Sequence, residues 1–243
     1  MKANLAEVFE SIQGEGLLIG TRQVFVRFSG CNLHCSYCDT LASRQPSASC
    51  LIYPQPCSKE EVWQVENPLS SQQLLKILAE FTVPWISFTG GEPLLVGDYL
   101  REVVQQTQLM QRKNLLETNA TLPEELDICL PYLDMISIDF KLPSATGKDL
   151  WDQHKRFLVR SSAKSCYVKV VITPETRREE VDQAVQIISS VSKDIPLILQ
   201  PVTASMDDDR ADIDTILNYQ TRAARTLTNV RVLPQIHSCL GIP

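Results

Sequence analysis

Three cysteines that could bind metal lie close together near the N-terminus, Cys31, Cys35 and Cys38, in the spacing C-x3-C-x2-C. Thiolates at this spacing can converge from one loop on a metal centre. A structural zinc site normally has four ligands, and no fourth Cys or His follows at finger spacing. A zinc site completed by His34 or Asp39 is therefore the alternative. Three protein ligands favour a four-iron cluster in which one iron keeps an open coordination site for a small molecule.

A second motif, ISFTGGEP, spans residues 86–93 at the end of a predicted strand. Gly90 and Gly91 lack a side chain and let the backbone approach a ligand closely, and Glu92 supplies negative charge that suits an ammonium group. The cysteine loop, with the aromatic Tyr37 before its last cysteine, and this motif together resemble the radical S-adenosylmethionine superfamily. In that superfamily a GGEP-type motif contacts the methionine amino group of the cofactor.

The composition favours a soluble chain in a reducing compartment. The net charge of -6 and the lack of a basic block argue against a nucleic acid partner. No apolar run approaches the ~18 residues that would indicate a membrane span, and the N-terminus has no apolar stretch typical of a secretory signal. The other five cysteines are scattered rather than spaced as a disulfide framework. We therefore expect a cytoplasmic protein without membrane contact.

Strands and helices alternate along the chain. Period-two runs bounded by turn residues predict strands over residues 5–9, 23–29, 85–89, 114–118, 135–141, 166–172, 196–201 and 230–233. Helical periodicity predicts helices over residues 71–81, 99–112, 148–159, 178–192 and 209–227. This alternation predicts parallel βαβ units, in an open sheet or a barrel.

The segment 42–68 breaks the alternation. It is rich in Ser, Pro and Gln and contains Cys50 and Cys57. We interpret it as an insertion over one end of the sheet, not as a linker, because the strands before and after it belong to one fold. Residues 1–243 are thus predicted to form a single domain. Two lone cysteines are too few for a second cluster, so we expect free thiols there.

Further motifs narrow the resemblance to one family. The cysteine loop is preceded by IQGEG and FVRFSGC and ends in CDT, a combination similar to the 7-carboxy-7-deazaguanine synthases of queuosine and archaeosine biosynthesis. The similarity runs from about Leu5 to the C-terminus and excludes the insertion. Its later motifs are ETN at residues 117–119, LQPV at 199–202 and PQIH at 234–237.

This resemblance implies a fold, cofactors and a reaction. The fold is an α/β, partial (open) TIM-like barrel of the radical S-adenosylmethionine type, with the insertion after the cysteine loop. The cofactors are a [4Fe-4S] cluster, S-adenosylmethionine and Mg2+. The enzyme is a carbon–nitrogen lyase that converts 6-carboxy-5,6,7,8-tetrahydropterin to 7-carboxy-7-deazaguanine with loss of ammonia. A flavodoxin- or ferredoxin-type electron donor and a homodimer are also implied.

The family's functional residues can be carried over to matching positions of this chain. Cys31, Cys35 and Cys38 would bind the cluster, and Thr40 the magnesium ion. The implied cofactor contacts are Tyr37, Cys38, Asp39, Gly91, Glu92, Gln200, Pro201, Val202 and Thr203, with Asp139, Phe140 and Lys141 where the family has S-P-K. The implied substrate contacts are Ile12, Gln13, Gly14, Arg27, Thr89 and the terminal Pro243. No side chain is implied as catalytic, because the cofactor carries the radical.

Several residues have a physical reason for their implied role. The Arg27 guanidinium can form a bidentate pair with a substrate carboxylate, although an arginine near a strand end can also simply reach water. Gln13 and Glu15 suit a pterin edge, which offers donors and acceptors, so we expect these two residues and Arg27 to position the substrate. Lys169 alternates with apolar strand residues and points either into a barrel or to the surface.

Two other functions fit part of the pattern. An activase that installs a glycyl radical on a partner protein has similar size and cysteine spacing, but it needs an exposed groove for a peptide. A non-catalytic protein that binds zinc or a cluster would explain the cysteines, but not the GGEP motif beside them. Iron analysis and an assay for cofactor cleavage separate these alternatives.

Overall fold

The computed structural model describes residues 1–203 and 212–242. The strands in these residues are β1 (Lys2–Ala3), β2 (Leu5–Ile12), β3 (Arg22–Phe28), β4 (Ser49–Tyr53), β5 (Trp63–Glu66), β6 (Leu69–Ser70), β7 (Trp85–Gly90), β8 (Lys113–Thr118), β9 (Met135–Asp139), β10 (Ser165–Ile172), β11 (Leu197–Pro201) and β12 (Val230–Val232). The α-helices are α1 (Ser71–Ala79), α2 (Gly97–Leu109), α3 (Pro123–Cys129), α4 (Pro143–Thr146), α5 (Trp151–Ser161), α6 (Arg178–Val191), α7 (Ile213–Ala223) and α8 (Ile236–Leu240).

Ten of these strands form one sheet in the order β12-β11-β10-β9-β8-β7-β3-β2-β4-β5. Neighbouring strands from β3 through β7 to β12 are parallel, and β2 runs antiparallel to β3. The strands β12 and β5 lie at opposite edges, so the sheet does not close. The expected open α/β architecture with a large parallel sheet is confirmed.

The two faces of the parallel strands differ in chemistry. Alternate residues such as Ile86, Phe88 and Ile138 are fully buried in a continuous apolar core, against which α1, α2, α3, α5, α6 and α7 pack in chain order. The residues between them on β7 and β9 are polar, for example Ser87 and Asp139, and project to the opposite face. One face of the parallel strands thus packs on the apolar core, and the other face presents polar side chains.

The sequence-predicted strands and the five long helices are all present, with boundaries shifted by a few residues. The helix predicted over 148–159 begins at Trp151 and that over 209–227 covers Ile213–Ala223, residues 209–211 lying outside the described part. The shorter helices α3, α4 and α8 escaped prediction because fewer than two full turns give little periodicity.

The insertion differs from its predicted form. It is not irregular throughout: β4 pairs with β2 and β5 pairs with β4, so these two strands of the insertion extend the sheet at its edge. Cys50 and Ile52 enter the main core, whereas Tyr53 faces the other side. That short period-two run, S-C-L-I-Y, is the signal that the high Ser and Pro content obscured.

No helix in the described residues is long and apolar enough to cross a membrane.

Candidate active site

The three clustered cysteines open onto one cavity of about 370 Å³ at the carboxyl ends of the parallel strands. All eight cysteines of the chain are free thiols. Burial raises the pKa of the Cys31 and Cys35 thiols, so metal binding there must displace protons. Within residues 1–203 and 212–242 no three His, Cys, Asp or Glu side chains surround a single ion.

Backbone contacts fix the cysteine loop against the GGEP motif. The Glu92 N–H donates to the Gly30 carbonyl oxygen at 2.8 Å, and the Gly91 N–H donates to the Phe28 carbonyl oxygen at 3.0 Å. A Cβ atom at Gly91 would lie 1.9 Å from the Gly30 oxygen, and Gly90 has a φ of +112°. Both glycines are required by this close approach, which places the second motif beside the first cysteine.

Glu92 does not line the cavity, although the sequence predicted a cofactor contact. Its buried carboxylate accepts hydrogen bonds from the Leu94 N–H at 3.0 Å, the Thr118 hydroxyl at 2.9 Å and the Asn119 N–H at 2.8 Å. Burial raises its pKa to about 7 despite these donors. Asn119 in turn lies 3.9 Å from the Cys31 sulfur through its side-chain amide. In this structure Glu92 therefore shapes the wall behind the cysteine loop.

A buried network of alternating charges lines one side of the cavity. Lys169 forms ion pairs with Glu15 and, at 3.2 Å, with Asp139. Lys141 pairs with Asp139 at 2.7 Å and lies over the Tyr37 ring, 5.2 Å from its centroid. Burial works against the charge on Glu15, but Lys169 outweighs it and lowers the Glu15 pKa to about 2. The side chain of Lys169 thus faces the cavity, which resolves its two predicted orientations.

Two polar atoms in this wall have no partner among the described residues, Asp139 Oδ1 and Gln200 Oε1. Both are buried acceptors on residues that line the cavity. Buried polar atoms are normally hydrogen-bonded, so each unpaired acceptor calls for a donor. Asp139 and Gln200 thus each carry a buried acceptor without a donor in the wall of the cavity.

The C-terminal region closes the cavity over the IQGEG motif. The Gln235 amide donates to Glu15 at 2.5 Å and to Asp39 at 3.2 Å, and the Thr203 hydroxyl donates to Gln235. A Cβ atom at Gly14 would lie 2.0 Å from Nδ1 of His237. The PQIH motif noted in the sequence thus belongs to the site, a contact that sequence reasoning could not assign.

Glu117 is the other important residue that the sequence left without a role. Its carboxylate accepts hydrogen bonds from the Gln13 amide at 2.8 Å, the Ser87 hydroxyl at 2.6 Å and the Thr89 hydroxyl at 3.1 Å. Within the described part of the chain no Lys or Arg forms an ion pair with it. It is an acceptor-only group held rigidly at the cavity floor.

Arg27 lies at the end of the cavity next to the insertion. Its Nε donates to Glu7 at 2.8 Å, and its guanidinium carbon lies 5.6 Å from the centroid of the Phe9 ring. Phe9 stacks on Phe25 at 5.1 Å, and both rings line the cavity. Lys59 from the insertion holds the other oxygen of Glu7 at 3.1 Å. This end of the cavity combines a positive charge with a flat apolar surface.

Most predicted site residues meet in this cavity, and the predicted ones that line it are Ile12, Gln13, Gly14, Glu15, Arg27, Cys31, Cys35, Tyr37, Cys38, Asp39, Thr40, Thr89, Gly91, Asp139, Lys141, Gln200, Val202 and Thr203. Besides Glu92, two predicted residues do not line it. Phe140 is fully buried and stacks on His154 with 4.6 Å between ring centroids, and Pro201 ends β11 outside the cavity lining. Pro243, predicted to contact substrate, lies outside the described residues.

Comparisons of the sequence with known proteins give a match to one superfamily and to relatives that share one enzyme name. The model of the radical SAM superfamily matches residues 25–186. The 7-carboxy-7-deazaguanine synthase of Geobacter sulfurreducens is 41% identical over 98% of this chain and 97% of its own length. The enzyme of that name from Methanopyrus kandleri is 37% identical over 96% and 92%.

Solved structures show the same fold at lower identity. The crystal structure of QueE from Escherichia coli has a TM-score of 0.64 and 20% sequence identity, and the match covers 96% of this chain and 94% of that one. The structure of TYW1 with a lysine-pyruvate adduct has a TM-score of 0.58 and 12% identity over 84% of this chain. At these identities the likeness concerns the fold.

Proposed function

We propose a function for the cavity from one premise: the chain belongs to the 7-carboxy-7-deazaguanine synthases, within the radical SAM superfamily. It is a radical S-adenosylmethionine enzyme of 7-deazapurine biosynthesis, and its product is 7-carboxy-7-deazaguanine. The observation that supports this function best is the convergence of three free thiols, the two glycines of the GGEP motif and Arg27 on one cavity. The glycyl-radical activase and the non-catalytic metal-binding protein are not favoured.

The donor set of the cavity fits the cofactors that the superfamily uses. Cys31, Cys35 and Cys38 would hold a four-iron cluster, which with S-adenosylmethionine supplies a 5′-deoxyadenosyl radical that removes a hydrogen from the substrate. Asp139 and Gln200, which line the cavity, would contact S-adenosylmethionine.

The substrate in this proposal is 6-carboxy-5,6,7,8-tetrahydropterin. The Nε of Arg27 is bound by Glu7, so its two terminal nitrogens would bind the substrate carboxylate. The stacked rings of Phe9 and Phe25 would face the flat heterocycle. Glu117 would accept hydrogen bonds from the N–H groups on the pterin edge, with Gln13 fixed beside it.

A magnesium ion would lie at the cysteine loop. The Thr40 side chain lines the cavity beside the cysteines and makes no capping hydrogen bond to its own helical turn. Magnesium prefers hard oxygen ligands and takes few from the protein, keeping substrate oxygens and water. We propose that the Thr40 hydroxyl and the substrate carboxylate share this ion, which brings the carboxylate close to the three thiols.

The charged residues Lys169 and Glu15 maintain the shape of the cavity and do not transfer protons. Lys169 is held protonated, because its acidic neighbours raise its pKa against the effect of burial. The low pKa of Glu15 keeps that carboxylate ionised at neutral pH. These fixed charges are poor general acids and bases near pH 7. Their role in this proposal is to keep the cavity in shape and to exclude water from the radical chemistry.

The assembly around this site is also a proposal. We expect a flavodoxin- or ferredoxin-type electron donor, a homodimer, and one domain over residues 1–243. The continuous core from Ala3 to Leu227 supports the single domain. Sedimentation velocity of the anaerobic holoenzyme separates monomer from dimer.

Anaerobic turnover tests the proposed function. Protein with a reconstituted cluster is mixed with reductant, S-adenosylmethionine, magnesium and 6-carboxytetrahydropterin, and the products are followed by mass spectrometry. We expect a 7-carboxy-7-deazaguanine signal that requires S-adenosylmethionine. Formation of 5′-deoxyadenosine without that product would refute the substrate assignment while keeping the radical chemistry.

A further inference from the structure

Arg44, in the first turn of the insertion, contacts the cysteine loop directly. Its side chain lines the cavity together with the three thiols. One terminal nitrogen donates to the carbonyl oxygen of Cys35 at 2.5 Å. Its Nε is buried and has no acceptor among the described residues. The guanidinium is therefore anchored to the cysteine loop through one terminal nitrogen.

The charge of Arg44 has no acidic partner in residues 1–203 and 212–242. The other arginine that lines the cavity, Arg27, is paired with Glu7. Lys141, the other cation beside the cysteine loop, is neutralised by Asp139. Arg44 thus adds a positive charge to the loop that no carboxylate of the described residues compensates within ion-pair distance, and a half-buried charge is screened less than one in water.

The backbone around Arg44 is tied to the same loop. The Ser43 carbonyl oxygen accepts from the Gly30 N–H at 2.8 Å, and the Ser43 N–H donates to the Thr40 carbonyl oxygen at 2.9 Å. Gly30 precedes the first cysteine and Thr40 follows the last. The turn Leu41–Arg44 therefore holds the cysteine loop at its start, at Cys35 and at its end.

We propose that Arg44 is a positioning residue for the metal centre: it fixes the Cys35 backbone and supplies an uncompensated positive charge that favours the reduced cluster. The inference rests on the proposed function, in which the three cysteines hold a four-iron cluster. Reduction adds one negative charge to the cluster, so a neighbouring cation stabilises the reduced state more than the oxidised state. The insertion then has a function in electron uptake through its first turn.

Redox titration of the reconstituted protein tests this role without relying on activity. The midpoint potential is followed by electron paramagnetic resonance, in the absence of S-adenosylmethionine, for wild type, R44Q, R44K and R225Q. Glutamine keeps a donor but removes the charge, and lysine keeps the charge. Arg225, exposed beyond the end of α7, is the matched control. We expect R44Q to weaken reduction about tenfold, a shift of about 59 mV for one electron, with R44K and R225Q close to wild type.

The outcomes separate this inference from the proposed function. Equal potentials in R44Q and wild type, or an equal shift in R225Q, would overturn the role of Arg44 alone. Failure of the wild type to bind a four-iron cluster would contradict the proposed function itself. Should R44Q not fold, R44K carries the test, because the lysine ammonium lacks the planar geometry with which the guanidinium binds the Cys35 carbonyl oxygen. Faster loss of iron from R44K than from wild type, measured with a chelator, supports the positioning role, and an unchanged rate of iron loss overturns it.

Discussion

Gly91 packs against Gly30 so closely that a Cβ atom at Gly91 would lie 1.9 Å from the Gly30 carbonyl oxygen and 3.0 Å from that of Ser43. This contact joins three segments that are far apart in sequence: the GGEP motif, the start of the cysteine loop and the first turn of the insertion. The position of the cysteine loop relative to the end of β7 therefore depends on the lack of a side chain at Gly91.

Replacing Gly91 by alanine should displace the cysteine loop. Because the obstructing atoms are backbone, relief requires a shift of Gly30 and of the cysteine that follows it. We expect G91A to bind less than half the iron of wild type on reconstitution, measured by iron analysis. G147A is the control, since Gly147 has a φ of +68° and nothing within 4 Å of an added Cβ; it should lose about 1 kcal/mol of stability and keep its iron. Full iron binding by G91A would contradict this account.

Glu92 is expected to act on stability more than on cofactor affinity. In E92Q the amide NH2 replaces an oxygen, so either the Asn119 N–H or the Leu94 N–H faces a donor. A buried donor without an acceptor costs about 1–3 kcal/mol, which thermal unfolding of the cluster-free protein can measure. S-adenosylmethionine affinity of the holoprotein, measured by calorimetry, should fall less than tenfold. Unchanged stability with a hundredfold loss of affinity would instead indicate direct contact with the cofactor ammonium.

Glu117 is expected to bind the substrate through its charge. E117Q retains the size of the side chain but loses the ionised acceptor. Hydrogen bonds to charged groups contribute about 1.5–3 kcal/mol, so kcat/KM for 6-carboxytetrahydropterin should fall about 10- to 100-fold. The exposed Glu124 provides the control E124Q, which should leave kcat/KM unchanged. An E117Q enzyme with wild-type kcat/KM would remove Glu117 from the substrate site.

The sequence predicted those parts of the site that lie within short segments. The cysteine loop, IQGEG and GGEP each carry their chemistry in consecutive residues, and the period-two pattern places them at strand ends. It did not predict partners that the strand order brings together. Lys169 and Glu15 are 154 positions apart, and Gln235 reaches Glu15 across 220. Such pairs follow from the packing of β10 and α8 against the N-terminal motif, which no local pattern encodes.

Lys169 also shows why one alternative stayed open at the sequence level. Its apolar neighbours on β10 fit a strand with one exposed polar face as well as a strand facing a cavity. The carboxylates of Glu15 and Asp139 decide the matter, because a buried ammonium needs opposite charges close by. Neither carboxylate lies on the same strand as Lys169.

Stability should fall in mild acid because of His154. Burial lowers the pKa of this histidine from 6.5 to about 4, so the unfolded chain binds a proton that the folded chain excludes. The contribution is fully present above pH 6.5 and is lost as the pH falls towards 4. At pH 5 the loss amounts to about 2 kcal/mol of the free energy of unfolding.

Urea unfolding of cluster-free wild type and H154Q at pH 7.5 and pH 5 measures this contribution. Glutamine can still accept the hydrogen bond from the Lys141 N–H, which His154 accepts at 3.4 Å. The wild type should lose about 2 kcal/mol more than H154Q between the two pH values. Equal losses would show that His154 is not the source of the acid sensitivity.

In the proposed function, the cysteines of one loop, and no others, hold the metal centre on which product formation depends. The most direct test compares C35S with C57S in iron content and in 7-carboxy-7-deazaguanine formation, since Cys57 is a free thiol of the insertion outside the cavity lining. We predict that C35S loses the four-iron cluster and the product, whereas C57S keeps both. A C35S protein that still forms product, or a C57S protein that loses its cluster, would contradict the account.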